Sequence, residues 1–166
     1  YRVIGLDTMW YGNSKINHSN LKSYKFDIRN IAKLKRLKFD AVVHLANIAN
    51  DPSVELNETL SWNTNVLATY ELINYAISCG AKHFIFASSG SVYGIKKEKK
   101  VTEKLTLIPI SIYNKTKMVA ESVLLSKKHE IKVHCIRPAT VCGLSDRMRF
   151  DVSVNMLTYH AIKYNK

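Results

Sequence analysis

The chain has 166 residues, 46% of them hydrophobic, and 25 Lys and Arg against 13 Asp and Glu give it a net charge of +12. That is enough apolar material for one core and excludes a disordered chain, while no apolar run approaches the ~18 residues of a membrane span and no basic-then-apolar signal pattern is visible. The three cysteines (Cys79, Cys135, Cys142) are odd in number and form no CxxC pair, which argues against a disulfide framework or a cysteine-rich metal site and fits a cytoplasmic protein.

In chain order, "YRVIGLD" reads as an apolar strand ending in Asp7. A weaker strand at "KSYKF" leads to Asp27, followed by a basic amphipathic helix over 31–37. "DAVVHLA" is a short β-branched run bounded by polar residues, hence a buried strand. "NDPS" then reads as a helix start, with Asp51 or Ser53 as the cap and Pro52 in the first turn. Residues 54–79 keep helical spacing through Leu56, Leu60, Val66, Leu67, Tyr70, Leu72 and Ile73, and Gly80 is the stop. "KHFIFA" is the next strand, "YNKTKMVAESVLLSKK" a helix, "KVHCIRP" a strand, and 150–164 a helix. Strands alternating with helices predict a parallel sheet covered on both faces, an α/β fold of the Rossmann-like, doubly wound kind. The positive charge is scattered, and its densest cluster, "KKEKK", contains a Glu and lies in a predicted loop without aromatic stacking partners. It therefore reads as a solvated surface with attraction for anionic substrates, and nucleic acid is not the expected partner.

Three places could carry chemistry. Asp7 stands where a strand ends, the position from which a carboxylate can accept from the ribose hydroxyls of a dinucleotide. The glycine-rich loop that normally lies about 20 residues earlier would fall before residue 1. "YNKTK" sets Tyr113 and Lys117 on one helix face, where an ammonium would favour the phenolate of a group whose ordinary pKa is about 10. Upstream, "FASSGSVYG" ends a strand in Ser88, Ser89, Gly90 and Ser91. A serine there can donate to a substrate oxygen and pass its proton to the phenolate.

The ordered segments "VIGLDTMWYGN", "FDIRN", "DAVVHLAN", "NTNVLAT", "FIFASSGSVYG", "YNKTK" and "IRPATVCG" together resemble the extended short-chain dehydrogenase/reductases, the NAD-dependent sugar-nucleotide epimerase/dehydratase group. The resemblance implies a Rossmann-like fold, NAD as cofactor and a nucleotide-sugar substrate. It also implies an interior fragment, lacking the first strand with its glycine loop and most of the substrate domain. Residues 1–145 would form the partial NAD-binding domain and 146–166 the start of the substrate region. It makes Ser89, Tyr113 and Lys117 the catalytic set and Asp7 the adenosine-ribose ligand, with Asp27 and Ile28 against the adenine. Leu45, Ala46 and Asn47 would line the dinucleotide, Asn65 would support the site, Pro138 would sit beside the nicotinamide, and Tyr113 and Lys117 would also touch the cofactor. Ser89, Ser91, Thr140, Arg147 and Arg149 are the candidates for substrate contacts, and a homodimer is the assembly left open for the full-length protein.

The departures narrow the activity. Dehydratases of the family carry an Asp-Glu pair directly after the catalytic hydroxyl residue; here Gly90 and Ser91 stand in those places, which favours C4 epimerisation through a keto intermediate over dehydration. Thr140 replaces a frequent Asn, Cys142 a common Tyr and Ala68 a frequent Gly. A nucleotide-sugar reductase, dehydrogenase or dehydratase is the alternative enzyme, and a non-catalytic basic binding module the alternative of another class. His44, inside its strand, reads as a packed residue, the six histidines show no metal spacing, and Cys135 and Cys142 are expected buried or near the site without acting as nucleophiles.

Overall fold

The computed structural model describes residues 1–12, 17–146 and 148–165; Arg147 lies outside the described residues. Among the described residues five strands form, all in parallel ladders. β1 (Val3–Asp7) pairs with β2 (Leu21–Lys25), and β3 (Ala41–His44), β4 (His83–Ala87) and β5 (Lys132–Ile136) form a second ladder in the order β3-β4-β5. The expected parallel α/β sheet is present, in two pieces that share no ladder among the described residues.

The alternation of β4 decides where the core lies. Phe84 and Phe86 point to one face and are fully buried against Ile73, Ala76, Ala120 and Leu124, which come from helices α3 (Ala68–Ser78) and α4 (Ile112–Ser126). The expectation of cover on both faces holds on that face only, since Val43 and Ile136 stay 64% and 54% exposed with no described element over them.

Three predicted helical features differ in detail. Instead of a helix over 31–37 there is a 3₁₀ segment, Ile28–Lys33, kinked at Asn30. It buries Ile28 and Ile31, whose spacing of three is the 3₁₀ repeat, and beyond it the Tyr75 hydroxyl accepts from the Leu37 N–H and donates to the Lys35 carbonyl, replacing bonds a helix would have made. The run over 54–79 is three pieces: α1 (Asp51–Glu55), α2 (Glu58–Trp62) and α3, with a π-helical turn, Asn63–Leu67, between the last two. Asn57 breaks the first junction because its side chain caps the Leu60 N–H at 2.8 Å. The cap of α1 is Asn50, which accepts from the Ser53 N–H at 2.9 Å, rather than Asp51 or Ser53. Pro52 sits in the first turn as expected.

Gly80 does end α3. At φ 80° it takes the left-handed conformation, with its N–H on the Ile77 carbonyl and the Ala81 N–H on the Ala76 carbonyl, the double bond of a Schellman stop. The chain closes with α5 (Ser153–Tyr164), within the predicted 150–164. Asn155 ties α5 to the preceding loop, accepting from the Gly143 N–H and donating to the Arg149 carbonyl.

Candidate active site

The carboxyl ends of β3 and β4 and one face of α4 converge on Lys117. Tyr113 and Lys117 sit one turn apart because Ser111 caps the helix at the Asn114 N–H and sets its start. Lys117 is 3% exposed. Its Nζ donates to the Ala87 carbonyl at 2.6 Å, lies 4.8 Å from the centre of the Phe86 ring and 5.8 Å from that of Tyr113. The Asn47 amide satisfies its neighbours in one orientation, with Nδ2 toward Asn65 and Oδ1 accepting from Lys117 Nζ at 3.0 Å. Burial pushes the Lys117 pKa down to about 8, opposed by the Glu121 carboxylate.

Ser89 follows β4 and caps the short 3₁₀ turn Gly90–Tyr93 by accepting from the Ser91 N–H. Its hydroxyl faces Tyr113, an interaction that favours the phenolate, and lies 2.7 Å from the Ser91 hydroxyl, which in turn donates to Asn114 Oδ1. Because the Ser91 proton is committed to Asn114, Ser89 is the donor to Ser91. The protons therefore run Ser89 to Ser91 to Asn114, beginning beside Tyr113. Asn114 is a site residue that motif reading missed, sitting next to Tyr113 in "YNKTK".

Sequence spacing predicts a phenol activated by Lys117. The structure instead raises the Tyr113 pKa: burial is the main cause, the Ser89 bond pulls it down, and the charges of Asp51 and Arg149 act in opposite directions. Burial outweighs the proximity of the ammonium, whose protons go to Ala87 and Asn47 rather than to the phenol.

Gly90 leaves little room for a side chain. An added Cβ would lie 3.1 Å from the Pro138 carbonyl oxygen, which accepts from the Gly90 N–H at 2.8 Å. The close approach that this glycine permits is thus between the loops after β4 and β5. The Pro138 carbonyl is engaged there, leaving its ring as the part that can meet a ligand.

The chain matches the NAD dependent epimerase/dehydratase family over residues 1–164. It belongs to that family. A UDP-glucose 4-epimerase from Lactobacillus helveticus is 30% identical over 149 residues, 86% of this chain but 45% of that protein. Among solved structures, a mutant of the UDP-glucuronic acid 4-epimerase from Bacillus cereus, in complex with UDP-4-deoxy-4-fluoro-glucuronic acid and NAD, superposes with a TM-score of 0.80 at 25% identity, over 99% of this chain and 56% of that one. DesIV from Streptomyces venezuelae, a dTDP-glucose 4,6-dehydratase with NAD and TYD bound, has a TM-score of 0.82 at 22% identity, over 98% and 53%, and shares the Rossmann fold. The chain thus spans about half the length of these proteins.

For an NAD-dependent family the cleft between the two sheet pieces is the place to test for a cofactor. It is lined by Asp7, Asp27, Ile28, Arg29, Ala46, Asn47, Ile48 and Thr64. Thr64 is 8% exposed, and its hydroxyl has no hydrogen-bond partner. A buried hydroxyl left unpaired on a cleft wall suits a polar ligand, so the residues present fit a dinucleotide. Motif reading passed over Thr64 in favour of its neighbour. Asn65, expected among the cofactor residues as a support, is fully buried. It accepts from the Ile48 N–H and donates to the Ile48 carbonyl and to Thr116, so it is a brace and no ligand group remains on it. The π-helical turn explains the pair, since its wider spacing turns Thr64, Asn65 and Val66 all inward.

The remaining expected residues fall as follows. Asp7 is exposed at the end of β1, one oxygen accepting from the Met9 N–H at 2.6 Å. Asp27 is on the cleft, but Arg29 holds its carboxylate through a two-pronged contact, 3.0 Å from Nε and 2.5 Å from a terminal nitrogen, and keeps its pKa below the ordinary value. An adenine contact from the Asp27 carboxylate would have to displace Arg29, which itself lines the cleft. Leu45 is 69% exposed beyond β3. Thr140 and Cys142 lie exposed after β5, so of the two expected placements of Cys142, buried or near the site, burial does not hold. Arg149 pairs with Asp151 at 2.6 Å and acts electrostatically on Tyr113. Cys135 is half-buried with its pKa pushed up to about 12 by burial, the opposite of an activated thiol. Among the described residues no helix is long and apolar enough to cross a membrane.

Proposed function

We propose that the full-length protein is an NAD-dependent nucleotide-sugar epimerase acting at C4 through a keto intermediate. In that reading residues 1–145 are the NAD-binding part, 146–166 begin the substrate region, and the substrate is a nucleotide hexose. The observation that carries it is the Ser89–Tyr113–Lys117 set with a hydroxyl path leading from it and Gly90 and Ser91, not carboxylates, in the two positions after Ser89. The named 4-epimerases among the similar proteins support the same reading.

Before Tyr113 acts as a base its proton must leave along Ser89 and Ser91, and exposed Ser91 opens that path to water. The Tyr113 oxyanion then takes the proton of the C4 hydroxyl, directly or through Ser89, as C4 loses a hydride. NAD, when bound, supplies the acceptor and later the donor of that hydride. Lys117 stabilises the oxyanion by its charge, and Ser89 donates to the new carbonyl oxygen. After the keto-sugar turns in its pocket and regains the hydride on the other face, Tyr113 returns the proton to O4. Thr64, Ala46, Asn47 and Asp7 would hold the dinucleotide, and Arg149 would meet the substrate near Tyr113.

The test incubates the full-length protein with NAD and UDP-, GDP-, CDP- and dTDP-hexoses, following C4 epimers by chromatography and NADH by absorbance. Epimer formation without net NADH is expected, and Tyr113→Phe should lower turnover by about 100-fold or more with melting temperature unchanged. Stoichiometric NADH or a 4-keto-6-deoxy product would replace this reading with an oxidoreductase or a dehydratase. Full activity in Tyr113→Phe would remove the mechanism.

A further inference from the structure

One turn beyond Lys117 on the same face of α4 lies Glu121, 2% exposed. It is held from two sides. Arg137, just after β5, grips it with Nε at 2.9 Å from Oε1 and a terminal nitrogen at 2.6 Å from Oε2, and the Ser88 hydroxyl, just after β4, donates to Oε1. Arg137 is itself fixed, donating to the Tyr93 hydroxyl at 2.8 Å and lying 4.9 Å from the centre of that ring.

A buried ion pair is weak evidence for stability, because apolar side chains of the same volume commonly serve as well. The placement of this one is the informative part. Ser88 lies between Ala87, whose carbonyl takes the Lys117 ammonium, and Ser89, which faces Tyr113. The pair thus joins the three elements that carry the site.

We propose that Glu121 is a positioning residue of this site: clamped by Arg137, it keeps Lys117 charged and holds the Ser88–Ser89 corner against α4. The consequence for turnover rests on the epimerase reading, but the charge of Lys117 can be read without it.

The groups facing Lys117 are few. On α4 they are Tyr113 and Glu121. From β3 comes His44, held neutral with its pKa down to about 3, and beyond it the Asn47 amide. β4 presents the Ala87 carbonyl, and Arg137, just after β5, stands behind Glu121, whose charge also reaches the neutral thiol of Cys135. Asp51 and Arg149 act farther out, on Tyr113. Glu121 is therefore the anion between two cations, Lys117 and Arg137. Without its charge those two repel in a dry region, and Lys117 gives up its proton more easily. Without the Arg137 charge, Glu121 has Lys117 alone as counter-ion, and Lys117 holds its proton more tightly.

The test follows ¹³Cε-lysine resonances of the full-length protein over the neutral to alkaline range, with Lys117 assigned by its loss in Lys117→Met. Glu121→Gln should lower the Lys117 midpoint by about one pH unit or more, and Arg137→Gln should raise it. The double variant, which has no buried charge left unpaired, should fold well and show a smaller downward shift, because Glu121 is the nearer group. In an active enzyme the alkaline limb of kcat should move with the resonance, leaving KM for the nucleotide-sugar within about twofold. Opposite shifts in the two single variants are a signature that loosened packing does not produce. Should Glu121→Gln fail to fold, Arg137→Gln and the double variant still read the sign. Folded variants that titrate Lys117 as the wild type does would overturn the proposal even if epimerase activity is found, and the predicted shifts would sustain it even if the activity proves different.

Discussion

His44 offers a measurement that depends on the interior of the fold alone. It is 3% exposed on β3, between the rings of Phe84 and Phe86. Its Nε2 lies 2.8 Å from the Thr69 hydroxyl, and that hydroxyl donates its own proton to the Asn65 carbonyl. His44 is therefore the donor, neutral and protonated on Nε2. Burial, and to a lesser extent the Lys117 charge, lower its pKa from 6.5 to about 3. Between those values the unfolded chain binds a proton that the folded one does not, so this group's stabilising contribution is complete above pH 6.5 and is lost as pH falls toward 3. At about 1.4 kcal/mol per pH unit, the loss over the first two units below the ordinary value is about 3 kcal/mol. His44→Phe keeps ring volume and leaves the Thr69 bond to Asn65 intact. Urea unfolding of the full-length wild type and variant at about pH 7, 5.5 and 4.5 isolates the effect, because the carboxylates common to both cancel. The variant should gain on the wild type by about 3 kcal/mol from the highest to the lowest pH. A difference that stays flat with pH would refute the assignment of His44 as a buried neutral donor.

Thr64→Val replaces the unpartnered hydroxyl with a methyl of similar size. NAD affinity measured by calorimetry should fall about 5- to 10-fold, the worth of one hydrogen bond, while the melting temperature of the NAD-free protein holds or rises; unchanged affinity would mean that the hydroxyl meets no ligand. The full-length protein should bind NAD more tightly than NADP, since Asp7 can accept from a ribose hydroxyl but repels a 2′-phosphate. Asp7→Ala should weaken NAD binding and relax that preference, and tighter NADP binding by the wild type would exclude this role for Asp7.

Strands were legible because their signal is local: "DAVVHLA" and "KHFIFA" are short apolar runs between polar ends, and a buried parallel strand asks for little else. The helical stretch over 54–79 was harder, because Leu56 and Leu60 keep their spacing of four across Asn57. What breaks the helix there is the bond from the Leu60 N–H to the Asn57 side chain, and an asparagine inside a helix and one capping the next look alike in a sequence. Tyr75 is a similar case. Its hydroxyl replaces backbone bonds near Lys35 and Leu37, 40 and 38 residues away, so a basic amphipathic pattern that reads as a helix ends in an extended connection.

At the site, spacing settles which side chains share a face and leaves their charge states open. Tyr113, Lys117 and Glu121 recur every fourth residue, and the helix does stack them. Whether the phenol is acidified depends on where the ammonium sends its protons, and the Ala87 carbonyl and Asn47 that receive them lie 30 and 70 positions away in the chain. The direction of the Ser89 hydroxyl is likewise decided by Asn114, two bonds along the chain of protons. Thr64 shows the same limit from the other side: its value as a ligand group lies in having no partner, and an absence of that kind exists only once every neighbour has been placed. The motif supplies the reacting groups, and their partners, next door as Asn114 or far along the chain as Ala87 and Asn47, set their protonation.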